Sequence, residues 1–116
     1  MIMLPLIVRI FLCTRSTDLR KSFDGLSGLV QECFGQDPLT GHLFLFLNPR
    51  RDRIKILCFD RDGLAIWYKR LEAGSYQMPH AAGQDSLKLQ PAQLAMLLSG
   101  IDLRSERQRK RFQRAG

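Results

Sequence analysis

Histidine and cysteine are scarce in this 116-residue sequence, and neither is spaced for metal binding. The two histidines, His42 and His80, have no ligand-type residue at the short spacings of zinc sites. The three cysteines, Cys13, Cys33 and Cys58, are odd in number, far apart and flanked by apolar residues. The sequence therefore predicts no metal site, no disulfide framework and no cofactor, and it indicates surface histidines and reduced core thiols.

The sequence also lacks a long uninterrupted hydrophobic run. Its most apolar segment, Met1–Cys13, is broken by Pro5 and Arg9, with no basic segment before it and no small-residue cleavage site after it. This pattern predicts neither a signal peptide nor a membrane span. We expect a cytoplasmic or nucleoid-associated protein with no membrane partner.

Motifs that carry catalysis are missing as well. There is no glycine-rich phosphate loop, no nucleophile elbow and no Cys/His pair at a family-specific spacing. The carboxylates that could hold divalent ions for metal-dependent catalysis are Asp52, Asp60 and Asp62, and they lie in or beside predicted turns. Aspartate is common in turns because its side chain bonds the nearby backbone. The sequence predicts that the protein is not an enzyme.

Acidic residues are few compared with basic ones. The chain has 18 Lys and Arg against 11 Asp and Glu, for a net charge of +7 and a pI near 9.9. Residues 101–116 contain six basic and two acidic residues, so they carry +4 of this excess. We expect a single domain over residues 1–103 and a disordered basic tail over residues 104–116. The excess points to a polyanionic partner such as nucleic acid.

Hydrophobic periodicity predicts an α+β fold, namely a small antiparallel β-meander with one long helix packed on it and a short C-terminal helix. The long helix is expected to begin at a Thr17 cap and to end at Gly35, and the short one to run from Pro91 to Gly100. Strands are expected at residues 6–12, 43–47, 54–59 and 64–71, with shorter ones around 76–78 and 87–89.

Two strand features carry more specific predictions. Leu43–Leu47 shows no alternation, which predicts a central strand covered on both faces. The loop 60–63 fits either a three-residue turn with Gly63 at a bulge or a two-residue Asp62-Gly63 turn, and the two differ in register. The hydrophobic pattern favours the first. That register would place Ile54, Ile56 and Cys58 on one face with Leu64, Ile66 and Tyr68.

Basic residues gather on the two predicted hairpin turns and the adjoining strands. They are Arg50, Arg51, Arg53, Lys55, Arg61, Lys69 and Arg70. With Arg107, Arg109, Lys110 and Arg111 of the tail, they are the candidate DNA contacts, because Lys and Arg neutralise phosphates and release counterions. The alternative is a solvated sheet face whose charges protect an edge from aggregation, followed by an inert solubilising tail.

An aromatic residue adds a second possibility for nucleic-acid contact. Trp67 lies beside Lys69 and could stack on a base. An aromatic residue on a central strand more often belongs to the core, so the sequence favours a core position for Trp67.

The segment 17–26 reads Thr-Asp-Leu-Arg-Lys-Ser-Phe-Asp-Gly-Leu, and further motifs follow at residues 37–46, 51–57, 60–72 and 93–102. The first is similar to the T-D-M-R-K-(G/S)-F-D-G-L signature of the small accessory proteins, called TnpB or Orf2-like, of bacterial insertion sequences of IS family sixty-six. The other motifs resemble the same family in the same order. The resemblance covers roughly residues 9–103.

The resemblance implies a protein encoded beside a separate, larger transposase that performs the strand transfer. The family offers no active site to carry over. Position 90 is Gln where the family usually has Thr or Ser, which predicts loss of the capping box with Gln93.

Two function hypotheses follow. The protein assists transposition by contacting DNA, or it docks on the transposase, or another element protein, without specific DNA contact.

Overall fold

We describe residues 7–100 of the protein from a computed structural model. They form a five-stranded sheet with two α-helices, which confirms the predicted α+β class. The start of the first predicted strand and the basic tail lie outside the described residues. In chain order the elements are β1 (Ile10–Cys13), α1 (Phe23–Phe34), a short 3-10 helix (Pro38–Thr40), β2 (Leu43–Leu47), β3 (Arg53–Asp60), β4 (Gly63–Arg70), β5 (Ser86–Leu89) and α2 (Pro91–Ser99).

The strand order in the sheet is β4-β3-β2-β1-β5. Strands β2, β3 and β4 form the predicted antiparallel meander. Strand β1 pairs with β2 in parallel, with Ile10 opposite Leu43, because α1 connects the two strands. Strand β5 then pairs antiparallel with β1 and completes the sheet on that side.

Both faces of the sheet are covered, which confirms the interpretation of β2 as a central strand. On one face, α1 packs on Phe44, Phe46 and Leu57 through Leu26 and Val30. The opposite face is covered by α2 and by the segment that follows β4. Its buried residues are Ile10, Leu12, Leu45, Leu47, Ile54, Ile56, Tyr76, Met78, Leu89 and Leu97. Successive residues of β2 are therefore all apolar, since each face needs them.

The predicted strand around residues 76–78 is wrong. This segment is irregular, although Tyr76 and Met78 are buried against the α2 face. The Tyr76 N–H donates to the carbonyl oxygen of Arg51 at 2.6 Å, so it is bonded to a turn and not to a neighbouring strand. Tyr76 and Met78 are two residues apart and both are buried, so the segment has the alternating sequence pattern of a strand without being one.

Helix α1 begins later than predicted, at Phe23 after a Ser22 cap, and not at Thr17. The Thr17 N–H donates to the carbonyl oxygen of Leu47 at 2.8 Å, which ties this residue to the end of β2. Asp18 makes a separate local turn, in which its carboxylate accepts from the Arg20 N–H at 3.0 Å. Such side-chain-to-backbone bonds compete with helix formation.

The β3–β4 hairpin has neither of the two predicted turns. Asp60 pairs with Gly63, so Arg61 and Asp62 form the loop, and Arg61 takes a φ of 58°. Ile56 is opposite Trp67 and Leu57 is opposite Ile66. The favoured register was therefore wrong. Ile54, Ile56 and Cys58 share their face with Lys69, Trp67 and Ala65, and Leu64, Ile66 and Tyr68 lie on the other face.

The helix ends agree with the remaining sequence signals. Gly35 has a φ of 61° and Gly100 a φ of 90°, and each ends its helix as a left-handed C-terminal cap. Pro91 is the first residue of α2, as predicted. The expected loss of the cap at Gln90 is only partial, since its N–H donates to Oε1 of Gln93 at 2.7 Å.

Candidate nucleic-acid interface

A cavity of about 710 Å³ opens on the α1 face of the sheet, where β3 and β4 extend beyond the helix. We call it the basic cavity. Its lining residues are Ser16, Thr17, Asp18, Leu19, Arg20, Asn48, Pro49, Arg53, Lys55 and Tyr68. The volume lies within the range of roughly 300–1,000 Å³ that is typical of ligand sites.

The strands supply one wall of the basic cavity through their alternation. Lys55 is opposite Tyr68 and Arg53 is opposite Arg70, so all four side chains are on the face that carries α1. These four side chains share a face only in the observed register, because a shift by one residue would move Tyr68 and Arg70 to the opposite face.

Tyr68 is held between two cations. Nζ of Lys55 lies 4.8 Å from the centroid of the Tyr68 ring, which is a cation–π distance. Nη1 of Arg53 donates to the Tyr68 hydroxyl at 3.4 Å. Tyr68 as a whole residue remains 49% exposed. The cations therefore position an aromatic surface that is still open to a ligand.

Hydrogen bonds to neighbouring segments hold the Lys55 ammonium and the Arg53 backbone in place. Nζ of Lys55 donates to the carbonyl oxygen of Lys21 at 2.9 Å, which leaves further ammonium hydrogens for a ligand. The Arg53 N–H donates to Oδ1 of Asn48 at 2.9 Å, and Asn48 in turn donates to Asp52 at 2.6 Å. The β2–β3 turn and the start of β3 are thus linked at the rim of the cavity.

The opposite wall is the turn before α1. Both carboxylate oxygens of Asp18 accept hydrogen bonds from the Arg20 guanidinium, at 2.7 to 3.1 Å. These bonds hold the pKa of the Asp18 carboxyl well below its usual range, so the group is ionised and paired. Within residues 7–100, neither Arg53 nor Lys55 forms an ion pair with a carboxylate. The cavity therefore has an excess of positive charge.

The structure brings some of the sequence-predicted residues together here. Arg53 and Lys55 line the basic cavity. Arg70 is beside Arg53 on β4, and its guanidinium lies 3.2 Å from the Glu72 carboxylate. Arg50 and Arg51 are exposed in the turn that includes the lining residues Asn48 and Pro49.

Other predicted residues are apart from this group. Arg61 is at the far end of the β3–β4 hairpin, about 25 Å from Arg53 along the strand. Lys69 is opposite Ile54 and therefore on the α2 face. Arg107, Arg109, Lys110 and Arg111 lie outside the described residues.

Sequence reasoning missed Tyr68 and the segment 16–20 as lining residues. It also favoured a core position for Trp67, which is 46% exposed because β4 is an edge strand of the sheet. Tyr68 could have been found from its spacing, since it precedes Arg70 by two residues on one strand. The segment 16–20 is distant in sequence from β3 and β4, so no local signal connects them.

His42 is partly exposed, but it is not a lone surface histidine, because its ring is hydrogen-bonded and packed. Its Nδ1 accepts a hydrogen bond from the Arg9 N–H at 3.0 Å, and its ring packs edge-on against Phe11. Burial, with the nearby positive charges of Arg9 and Lys88, lowers the pKa of His42 below its ordinary value. Over residues 7–100, no group of three or more His, Cys, Asp or Glu is placed to hold a metal ion.

The cysteines show a contact that the sequence did not reveal. Sγ of Cys13 and Sγ of Cys33 are 3.1 Å apart, between the end of β1 and the end of α1. Burial, and then the contact with Cys13, raises the pKa of the Cys33 thiol to about 11. All three cysteines are free thiols. In the described part of the chain, no helix is long and apolar enough to cross a membrane.

Comparison with known proteins decides the family. Residues 8–108 match the model of a family described as IS66 Orf2 like protein. The chain belongs to the IS66 Orf2-like family. This membership associates the protein with insertion-sequence transposition in an accessory role, and the matched region contains the whole basic cavity.

Two relatives of this IS66 Orf2-like protein come from Sinorhizobium fredii (strain NBRC 101917 / NGR234). The chain is 39% identical over 97 residues to a protein named uncharacterized protein y4hO, with 84% of each chain covered. It is 30% identical over 95 residues to uncharacterized protein y4jC, covering 82% of this chain and 80% of the relative. No solved structure matches the chain.

Proposed function

We propose that the protein is a non-catalytic accessory factor that binds the DNA of its element through the basic cavity, while the separate transposase performs the strand transfer. The observation that carries this proposal is the convergence of Arg53 and Lys55, with no carboxylate partner in the described residues, on one cavity beside the exposed ring of Tyr68.

Electrostatics supports an anionic ligand at this site. The only carboxylate that lines the basic cavity, among residues 7–100, is Asp18, which Arg20 already pairs. Arg53 offers a planar fork of donors and Lys55 a compact ammonium, and both suit phosphate oxygens. Arg70 is opposite Arg53 on β4, and the exposed residues Arg50 and Arg51 follow the lining residue Pro49, so three more basic residues lie close in the structure or the sequence to those that line the cavity. A DNA backbone could contact several of these cations at once.

The proposal is tested by DNA binding across a salt series. Purified protein and a labelled duplex are titrated between about 50 and 200 mM salt, where a protein with several phosphate contacts loses orders of magnitude in affinity. We expect the double variant Arg53→Gln with Lys55→Gln to bind more weakly at every salt concentration. Its salt slope should fall by roughly two, about one for each lost phosphate contact.

A matched variant controls for net charge. The double variant Arg61→Gln with Lys69→Gln also removes two positive charges, but from positions outside the basic cavity. It should keep most of the affinity and of the salt slope. Equal losses in the two double variants would show that only net charge matters and would remove the cavity from the proposal. Absence of DNA binding by the parent protein at low salt would overturn DNA contact altogether.

The tail is part of the same proposal as a second phosphate-binding segment. Removing residues 104–116 takes away Arg104, Arg107, Arg109, Lys110, Arg111 and Arg114. We expect weaker binding and a smaller salt slope, but the difference between the two double variants should persist. If that difference disappears on truncation, the tail and not the cavity accounts for the binding.

Docking on the transposase is the second candidate function, and one observation favours it. Trp67 is 46% exposed on β4, an edge strand, and points away from the basic cavity. Exposed tryptophans are enriched at the centres of protein interfaces. A pull-down with the element's transposase at high salt tests this function. Retention of the transposase that is lost in Trp67→Ala supports it, and no retention contradicts it.

A further inference from the structure

The shape of the basic cavity distinguishes between two forms of DNA. A duplex presents its phosphates on a convex surface and keeps its bases stacked inside, so cations on a ridge suffice to bind it. The basic cavity is concave, with the turn 16–20 on one side and β3 and β4 on the other. A concave site with an aromatic wall suits an unpaired nucleotide, whose base is free to enter.

Tyr68 supplies the aromatic wall. Tyr68 is 49% exposed as a residue, and its ring is contacted from two directions, by Lys55 at 4.8 Å from its centroid and by Arg53 at 3.4 Å from its hydroxyl. Proteins that bind single strands combine such stacking surfaces with cations that follow the backbone. Here the two cations and the ring belong to one hairpin, because Arg53 and Lys55 are on β3 and Tyr68 is on β4.

We infer that the basic cavity binds one unpaired nucleotide of single-stranded DNA, with its phosphate on Arg53 and Lys55 and its base against Tyr68. This inference rests on the proposed DNA-binding function and adds the strandedness of the ligand. Asp18 does not oppose it, because both of its carboxylate oxygens are occupied by Arg20.

The test compares a labelled oligothymidylate with a duplex of the same length by fluorescence anisotropy. We expect the full chain to bind the single strand more tightly than the duplex. Tyr68→Leu removes the ring and should weaken single-strand binding by roughly 5- to 150-fold, the range found for loss of one stacked base. Tyr68→Phe keeps the ring and should retain most of that affinity.

Trp67→Leu is the matched control, because Trp67 is a similarly exposed aromatic residue on the opposite face of the same strand. It should bind the single strand as the parent does. If Trp67→Leu loses as much affinity for the single strand as Tyr68→Leu does, the loss comes from a change in the strand and not from removal of the ring in the cavity. Equal affinity of the parent for single strand and duplex would also overturn the inference.

Photocrosslinking gives a readout that does not depend on whether Tyr68→Leu folds. An oligonucleotide that carries iododeoxyuridine is irradiated with the parent protein, and the linked peptide is identified by mass spectrometry. A crosslink at Tyr68 supports the inference, and crosslinks confined to other residues contradict it. Duplex binding that depends on Arg53 and Lys55 but shows no preference for a single strand would leave the proposed function standing and remove only this inference.

Discussion

Arg53 and Arg70 lie directly opposite each other on β3 and β4, on the face that carries α1. Like charges at opposite positions destabilise an antiparallel pair. The Glu72 carboxylate, 3.2 Å from Arg70, offsets part of this repulsion, but Arg53 has no ion pair with a carboxylate among residues 7–100. Repulsion between Arg53 and Arg70 therefore lowers the stability of the free protein. An anion bound next to both guanidiniums would reduce this repulsion.

Replacing Arg53 should therefore change stability and binding in opposite directions. We expect Arg53→Gln to raise the free energy of unfolding by a few tenths of a kcal/mol, at the low end of the roughly 0.2–1 kcal/mol for cross-strand pairs, because both side chains are exposed. Urea denaturation measures this change, and the same variant should bind DNA more weakly. Arg61→Gln serves as the control, and a destabilised Arg53→Gln would contradict the argument.

The packing of α1 on the sheet should account for much of the stability. Leu26 is fully buried between α1 and the sheet, so Leu26→Ala should lower the free energy of unfolding by about 2–5 kcal/mol. Leu39→Ala is the matched control, because Leu39 is 54% exposed and its loss should cost about 0.5 kcal/mol or less. Similar midpoints for both variants in urea would show that α1 contributes little.

The reactivity of Cys33 should reflect its raised pKa. Burial and the Cys13 contact raise the pKa of this thiol from an ordinary 9.0 to about 11, and only the thiolate reacts with iodoacetamide. We expect slow labelling of Cys33 in the folded protein near pH 9 and a rise as the pH approaches 11. Mass spectrometry after timed labelling resolves each cysteine. Equal labelling rates in folded and urea-unfolded protein would be the contrary result.

The same shift makes stability depend on pH. Because the pKa of Cys33 is higher in the folded state, its contribution to stability is complete below pH 9 and is lost as the pH rises towards 11. Cys33→Ala should have a smaller decline in the free energy of unfolding over this interval than the parent.

His42 should make stability depend on pH in the acid range. Burial lowers its pKa in the folded state from the ordinary 6.5, so its contribution is complete above pH 6.5 and is lost as the pH falls below that value. In His42→Asn, an amide oxygen can accept the Arg9 N–H as Nδ1 does, but it does not titrate. We expect a flatter pH profile of unfolding below pH 6.5 in this variant. Identical profiles in the two proteins would rule out His42 as the cause.

The fold class and the central strand could be predicted from the sequence, but the hairpin register could not. Register is fixed by hydrophobic alternation when only one face of a strand is buried. Here both faces of β3 carry apolar residues, since Ile56 faces α2 and Leu57 faces α1, so either register buries a similar set. The turn gave little help, because Arg61 takes a positive φ that is uncommon for residues other than glycine.

The candidate site could likewise be predicted only in part from the sequence. The charges of Arg53 and Lys55 were visible in the sequence, but their place beside Tyr68 depended on the register. The wall of the cavity depended on the turn at Asp18, where a local bond to Arg20 replaced the helix that the apolar spacing predicted. Residue types could thus be identified in advance, whereas their convergence required the three-dimensional structure.

The pairing of β1 with β5 sets an order for folding during synthesis. Among the strands of residues 7–100, β1 comes first in the sequence, and its partner on the outer side is β5 (Ser86–Leu89), which comes last. Until those residues leave the ribosome, one side of β1 has unpaired N–H and C=O groups that can pair with another chain. Nascent chains that stop before Ser86 should therefore be prone to aggregation, whereas a few more residues allow the sheet to close.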